Sequence, residues 1–158
     1  MIGTHVKKVA LAAAACAFAL GPLRAQSTTT DFSYSPISPG AWVYRSVAGG
    51  SEAAFVDGTG TTRAVVACGT VTRLVTLSRT SAVATTSLSF WTSSLSRQLT
   101  ARFDSRSGRL IAQVGASDAL LDALVFSRGR IAILTPGSPA LVLPAGTEIA
   151  HVVEDCRA

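Results

Sequence analysis

The chain has 158 residues, is 48% hydrophobic and 15% charged, and carries a formal charge of +5. That length makes one domain with a single core. Lys7, Lys8 and Arg24 precede Gln26, so the rest of the chain holds eleven arginines against nine acids, dispersed along it, which argues against nucleic-acid binding.

Lys7 and Lys8 form a short positive region, Val9 to Leu20 is unbroken apolar sequence, and Gly21-Pro22 ends it. Leu23-Arg24-Ala25 then supplies the small residue a signal peptidase needs. Residues 1–25 read as a secretory signal peptide cut before Gln26, so the expected location is periplasmic or secreted. The apolar run is too short to cross a bilayer as a helix, and no transmembrane span is expected in the mature chain. The alternative is lipidation at Cys16, because Ala13-Ala14-Ala15-Cys16 has the small residues of a lipobox.

Gln26 to Gly40 is rich in Ser, Thr and Pro and is expected to be a flexible, extended lead-in to a single β-rich domain over residues 41–158. Trp42-Val43-Tyr44 starts a strand that Gly49-Gly50 ends. Ala53 to Val56 is short and apolar, and Asp57-Gly58-Thr59-Gly60 is a turn. Thr62 to Cys68 alternates, with Ala64, Val66 and Cys68 on one face, and β-branched Val71 to Leu77 follows. Thr85 to Thr92 puts Leu88 and Phe90 inward and Ser87, Ser89 and Trp91 outward. Leu99, Ala101 and Phe103 pair through a turn at Ser105 to Gly108 with Leu110, Ala112 and Val114, the clearest hairpin. Serine and threonine fill the outward positions, as on a sheet with one wet face.

The last third changes period. Ser117 or Asp118 caps a short helix carrying Leu120, Leu121, Leu124 and Val125, and Gly129 marks its left-handed end. Ile131 to Leu134 and Ala140 to Leu143 are two more strands. Thr147 caps a final helix whose apolar residues, Ile149, Val152, Val153 and Cys156, recur at helical spacing.

Cys68 and Cys156 form an even pair for an oxidising compartment and are expected to be disulfide-bonded, stapling the terminal helix onto the sheet. The predicted fold is mainly β (α+β): an antiparallel sheet or small β-sandwich with two short helices in its C-terminal half, stapled by one disulfide.

The chemistry is sparse. His151 is the single histidine after the signal, and no lysine base remains. No metal and no cofactor are expected. His151 and Asp155, one helical turn apart, would need a serine from elsewhere to make a hydrolytic triad, and no G-x-S-x-G elbow exists. Arg128 and Arg130 flank Gly129 in Phe126-Ser127-Arg128-Gly129-Arg130 and could present two guanidinium groups to one carboxylate or phosphate. The structural alternative is that Arg128 compensates the end of the preceding helix while Arg130 pairs with Asp122, Glu154 or Asp155. Trp42, Tyr44 and Trp91 are either an aromatic surface for sugars or peptides or packing residues.

The segments Leu121 to Arg130, Leu143-Pro144-Ala145 and Glu154-Asp155-Cys156-Arg157 resemble a group of small uncharacterised secreted proteins of alphaproteobacteria. In overall plan the chain is also loosely similar to the invasion-associated locus B family of periplasmic proteins. Neither resemblance implies an activity or supplies catalytic residues. The leading expectation is a non-enzymatic domain that binds an envelope protein or cell-wall component. The alternatives are a small-anion or ligand-binding module using Arg128 and Arg130, or a hydrolase using His151.

Overall fold

A computed structural model describes residues 30–158, so the expected signal peptide over residues 1–25 and Cys16 lie outside the described residues. Ten strands form two antiparallel sheets. The first is ordered β1 (Gly40–Val47), β2 (Gly50–Asp57), β3 (Thr62–Gly69), β4 (Leu74–Thr80), β8 (Arg109–Gly115), β7 (Arg102–Asp104). The second is ordered β10 (Leu141–Pro144), β9 (Arg130–Leu134), β5 (Ser87–Trp91), β6 (Ser96–Thr100). Helix α1 (Ala119–Val125) and helix α2 (Thr147–Arg157) complete the domain.

Alternation decides the inner face. Ala53, Val66, Leu77 and Ala112 stand in one cross-strand row and are all buried. Leu88, Phe90, Ile131, Ile133, Leu141 and Leu143 face them from the second sheet, and both helices join the same core. Cys156 and Cys68 are bonded, 88 residues apart in sequence, so the terminal helix is covalently tied to β3. The predicted disulfide-stapled β-rich fold is therefore the observed one.

Four local details differ from the sequence expectation. Strand β4 begins at Leu74, not Val71. The amide of Arg73 and the hydroxyl of Thr72 both donate to the Gly69 carbonyl, which turns the chain and leaves Val71 92% exposed. Turn hydrogen bonding here outweighs the β-branched composition.

The stretch from Leu99 to Phe103 is not one strand of one sheet. Ala101 donates to the carbonyl of Thr86, the residue just before β5 of the second sheet, and Arg102 already pairs with Ile111 of the first. The ribbon changes sheets at Ala101, a corner that joins the two layers along one side.

Thr147 is not the cap of α2. Gly146 is, without a side-chain bond. A Cβ at Gly146 would stand 2.6 Å from Trp42 Cδ1, so the close approach of the Trp42 ring excludes a larger capping residue. Asp118 does cap α1, accepting from the Leu120 amide at 2.9 Å, and it also pairs with Arg97. Asp118→Ala is expected to cost about 1 kcal/mol in urea unfolding, the usual value of an N-cap. An unchanged midpoint would show that α1 is held by its buried leucines alone.

The fourth difference is the lead-in. Its described part is docked on the outer face of the second sheet. Phe32 is 8% exposed and meets Trp91 edge-on, with ring centroids 5.7 Å apart. Ser38 donates to the Val142 carbonyl, and Arg130 Nε donates to the Ser35 carbonyl. Trp91, expected on a wet face, is buried beneath this segment with Ala132 and Val142.

Two of the turns hold a carboxyl below its ordinary pKa. Asp57 Oδ1 accepts from the amides of Thr59 and Thr61 and from the Thr59 hydroxyl. Asp104 accepts from the Ser107 hydroxyl and the Arg106 amide. These bonds, the hydroxyls first, hold both carboxyls below the ordinary Asp value of 3.8. A carboxyl lowered by folding contributes stability that is complete above its unfolded value and is lost as pH falls through its folded value. The urea midpoint is therefore expected to be flat from about pH 7 to 5 and to fall below about pH 4. The Asp57→Asn, Asp104→Asn double variant should show a smaller fall, and an identical profile would remove these turns as the cause.

Candidate functional site

Three places on the molecule bear the sequence candidates. The first is the loop between α1 and β9. Gly129 adopts φ +76°, which reverses the chain after Arg128. The loop is braced by two serines: Ser93 N donates to Ser127 Oγ at 3.0 Å, and Arg128 N donates to Ser93 Oγ at 2.9 Å. Ser127 Oγ in turn donates to the Arg130 carbonyl. Backbone and side chains together thus fix the loop that presents both arginines.

Neither arginine has a carboxylate partner, and Arg130 pairs with none of the three acids expected for it. All nine acids of the chain lie among the described residues. Asp122 pairs with Arg157, and Asp155 accepts from Tyr44. Arg130 Nε is bonded to the Ser35 carbonyl at 2.9 Å instead. No basic residue occupies the last turn of α1, and Arg128 lies beyond that helix with an exposed side chain. The sequence carries no sign of two exposed aromatics beside this loop. Phe126, at the C-cap of α1, is 77% exposed, and Tyr34, next to Ser35, is 94% exposed.

The second place is the outward side of α2. Tyr44 Oη donates to Asp155 Oδ2 at 2.8 Å, and its ring meets His151 edge-on with centroids 5.6 Å apart. The nearby hydroxyls of Ser51 and Tyr44, in that order, hold the Asp155 carboxyl below the ordinary range. Ser51 Oγ is buried beside that carboxylate and completes no hydrogen bond of good geometry among the described residues. The structure therefore brings serine, histidine and aspartate to one neighbourhood. Tyr44, not His151, takes the carboxylate, and among the described residues no hydrogen bond joins the imidazole to a serine. A cavity of about 260 Å³ adjoins Tyr44, Ser51, Thr70 and Asp155.

The third place is a cavity of about 330 Å³ on the second sheet, floored by Phe32, Phe90, Trp91 and Leu134 and edged by Arg97 and Gln98. Arg128 and Arg130 line neither this cavity nor the one beside Asp155.

Among the described residues, no three His, Cys, Asp or Glu side chains are grouped so as to hold a metal. No helix among them is long and apolar enough to cross a membrane. Fold and site together define a two-sheet β domain with a disulfide-bonded terminal helix and a braced aromatic and arginine-bearing loop. No protein-family model matches the chain, no curated protein matches it, and no solved structure does.

Proposed function

We propose that this chain is a non-enzymatic periplasmic or secreted domain that binds an acidic segment of an envelope protein through Phe126, Arg128 and Arg130. One observation carries it: Phe126 is 77% exposed on a loop whose two arginines have no carboxylate partner. Aromatic residues and arginine are enriched in protein interfaces, and a guanidinium gives a carboxylate two parallel hydrogen bonds. The serine braces fix the backbone beforehand, so little order is lost on binding.

A small-anion module at the same arginines is less well supported, since neither lines the cavity on the second sheet or the one beside Asp155. A hydrolase at His151 lacks an assembled nucleophile and base.

The test is site-specific photocrosslinking from position 126 in the source cells, with and without Arg128→Gln and Arg130→Gln. A discrete protein adduct that disappears in the double variant, whose melting temperature is unchanged, is the expected result. An adduct indifferent to the arginines, or an adduct of cell-wall glycan, would overturn the acidic-protein assignment.

A further inference from the structure

The two sheets have four edges, and three are short or blocked. Strand β7 has three residues. Strand β6 has five, four of them polar. Strand β10 has four, ends in proline, and receives the Ser38 amide on its Val142 carbonyl. Strand β1 is different: eight residues, Gly40–Val47, paired on one side only. Six of the eight are exposed, and among the described residues no backbone hydrogen bond outside the ladder with β2 reaches residues 41–47. It contains no proline and no lysine, and its ladder with β2 runs without a bulge. Its one charge, Arg45, is already paired with Glu52. The usual protections of an edge strand are missing.

We infer that β1 pairs antiparallel with β1 of a second copy, making one sheet continuous across two subunits. The occupant is a second copy because the edge is complementary to itself. A two-residue turn joins β1 to β2 and closes on the pair Val47 and Gly50. Hydrogen-bonded pairs alternate along the ladder from that closing pair. Val47, Arg45, Val43 and Ala41 therefore bond to β2, while Ser46, Tyr44, Trp42 and Gly40 turn their amides and carbonyls to the open side. A two-fold axis through Val43 sets Trp42 against Tyr44 of the partner subunit and Gly40 against Ser46 of the partner subunit. Those are the four residues with free backbone groups.

The same register sets Ala41 against Arg45 of the partner subunit, so no like charges meet. Val43 is 49% exposed and would cover the partner subunit's Val43 across the axis. It also ends a cross-strand row through Ala54, Val65, Ser78 and Ile111. Pairing would join two such rows end to end on one face of the extended sheet.

The test uses the purified protein in a Cys16→Ser background. Light scattering over a range of concentrations is expected to give twice the mass of one chain, and Val43→Lys, which sets two cations on the axis, should give a single chain with unchanged circular dichroism. Val43 would form a non-hydrogen-bonded pair across the axis, where Cβ atoms are close. Val43→Cys should therefore crosslink on air oxidation, while Ala41→Cys and Arg45→Cys should crosslink only when mixed. A wild-type mass of one chain at every concentration would overturn the inference and leave the edge to a foreign strand. A dimer in which Val43→Cys fails to link would overturn it equally, by removing this register.

Discussion

Replacing Cys68 and Cys156 together by alanine is expected to lower stability by about 4–5 kcal/mol. The bond closes 88 residues of chain, and a loop of that length loses much of its freedom in the unfolded state. Both cysteines are nearly inaccessible, at 4% and 1% exposure, so the pair contributes packing as well as constraint. Helix α2 still buries Ile149, Val152 and Val153, and it should remain docked in the variant under native conditions. The fall in melting temperature should be on the order of 10–20 °C. A shift of only a degree or two would show that these three side chains hold the helix unaided. Burial of both sulfurs also predicts slow reduction of the folded protein by dithiothreitol and rapid reduction once urea opens the core.

Arg79→Met is the second large effect. Arg79 projects from β4 into the space between the sheets and is 6% exposed. It has no carboxylate. Nη1 donates to the Ile133 carbonyl at 2.5 Å and Nη2 to the Pro139 carbonyl at 2.6 Å. Burial, with Arg63 a lesser cause, lowers its pKa, which measures the cost of holding that charge inside. Methionine fills similar volume but donates to neither carbonyl. An unsatisfied buried acceptor costs about 1–3 kcal/mol; the Ile133 carbonyl is buried, while exposed Pro139 can turn its carbonyl to water, so a loss of about 1–3 kcal/mol is expected in urea unfolding. Arg79→Lys should recover little, because one ammonium lacks the fork that reaches two separated carbonyls. Arg45→Ala is the contrast: its partnership with Glu52 is at the surface, where such pairs contribute about 1 kcal/mol or less. Equal effects at positions 45 and 79 would show that Arg79 is not the tie between the layers.

The strands that could be read in advance are those with one wet face. Ala64, Val66 and Cys68 alternate because β3 is covered on one side only, and Leu110, Ala112 and Val114 repeat the pattern on β8. Helix α2 was legible for the same reason: its apolar spacing matched a single buried stripe, which placed Cys156 against the sheet. What failed to show was long-range. Trp91 looked solvent-facing because nothing local reveals that Phe32, 59 positions earlier, lies over it. Arg79 resembled any surface arginine, since its partners are carbonyls, which every residue has. At the candidate site, Arg128 and Arg130 could be singled out from their glycine. Phe126 was missed because an apolar residue at a helix end ordinarily reads as core. Tyr34 could not be found without the bond from Arg130 to Ser35.

The corner at Ala101 has a consequence for how the molecule comes apart. One rung holds this residue to Thr86, and the next holds Arg102 to Ile111, so a single ribbon belongs to both layers. Fraying that starts in either layer reaches this ribbon and passes into the other. Because β6 and β7 are both edge strands, amide hydrogens near the corner should exchange with deuterium before those of the central strands β3, β4 and β9, and the two layers should begin to open together.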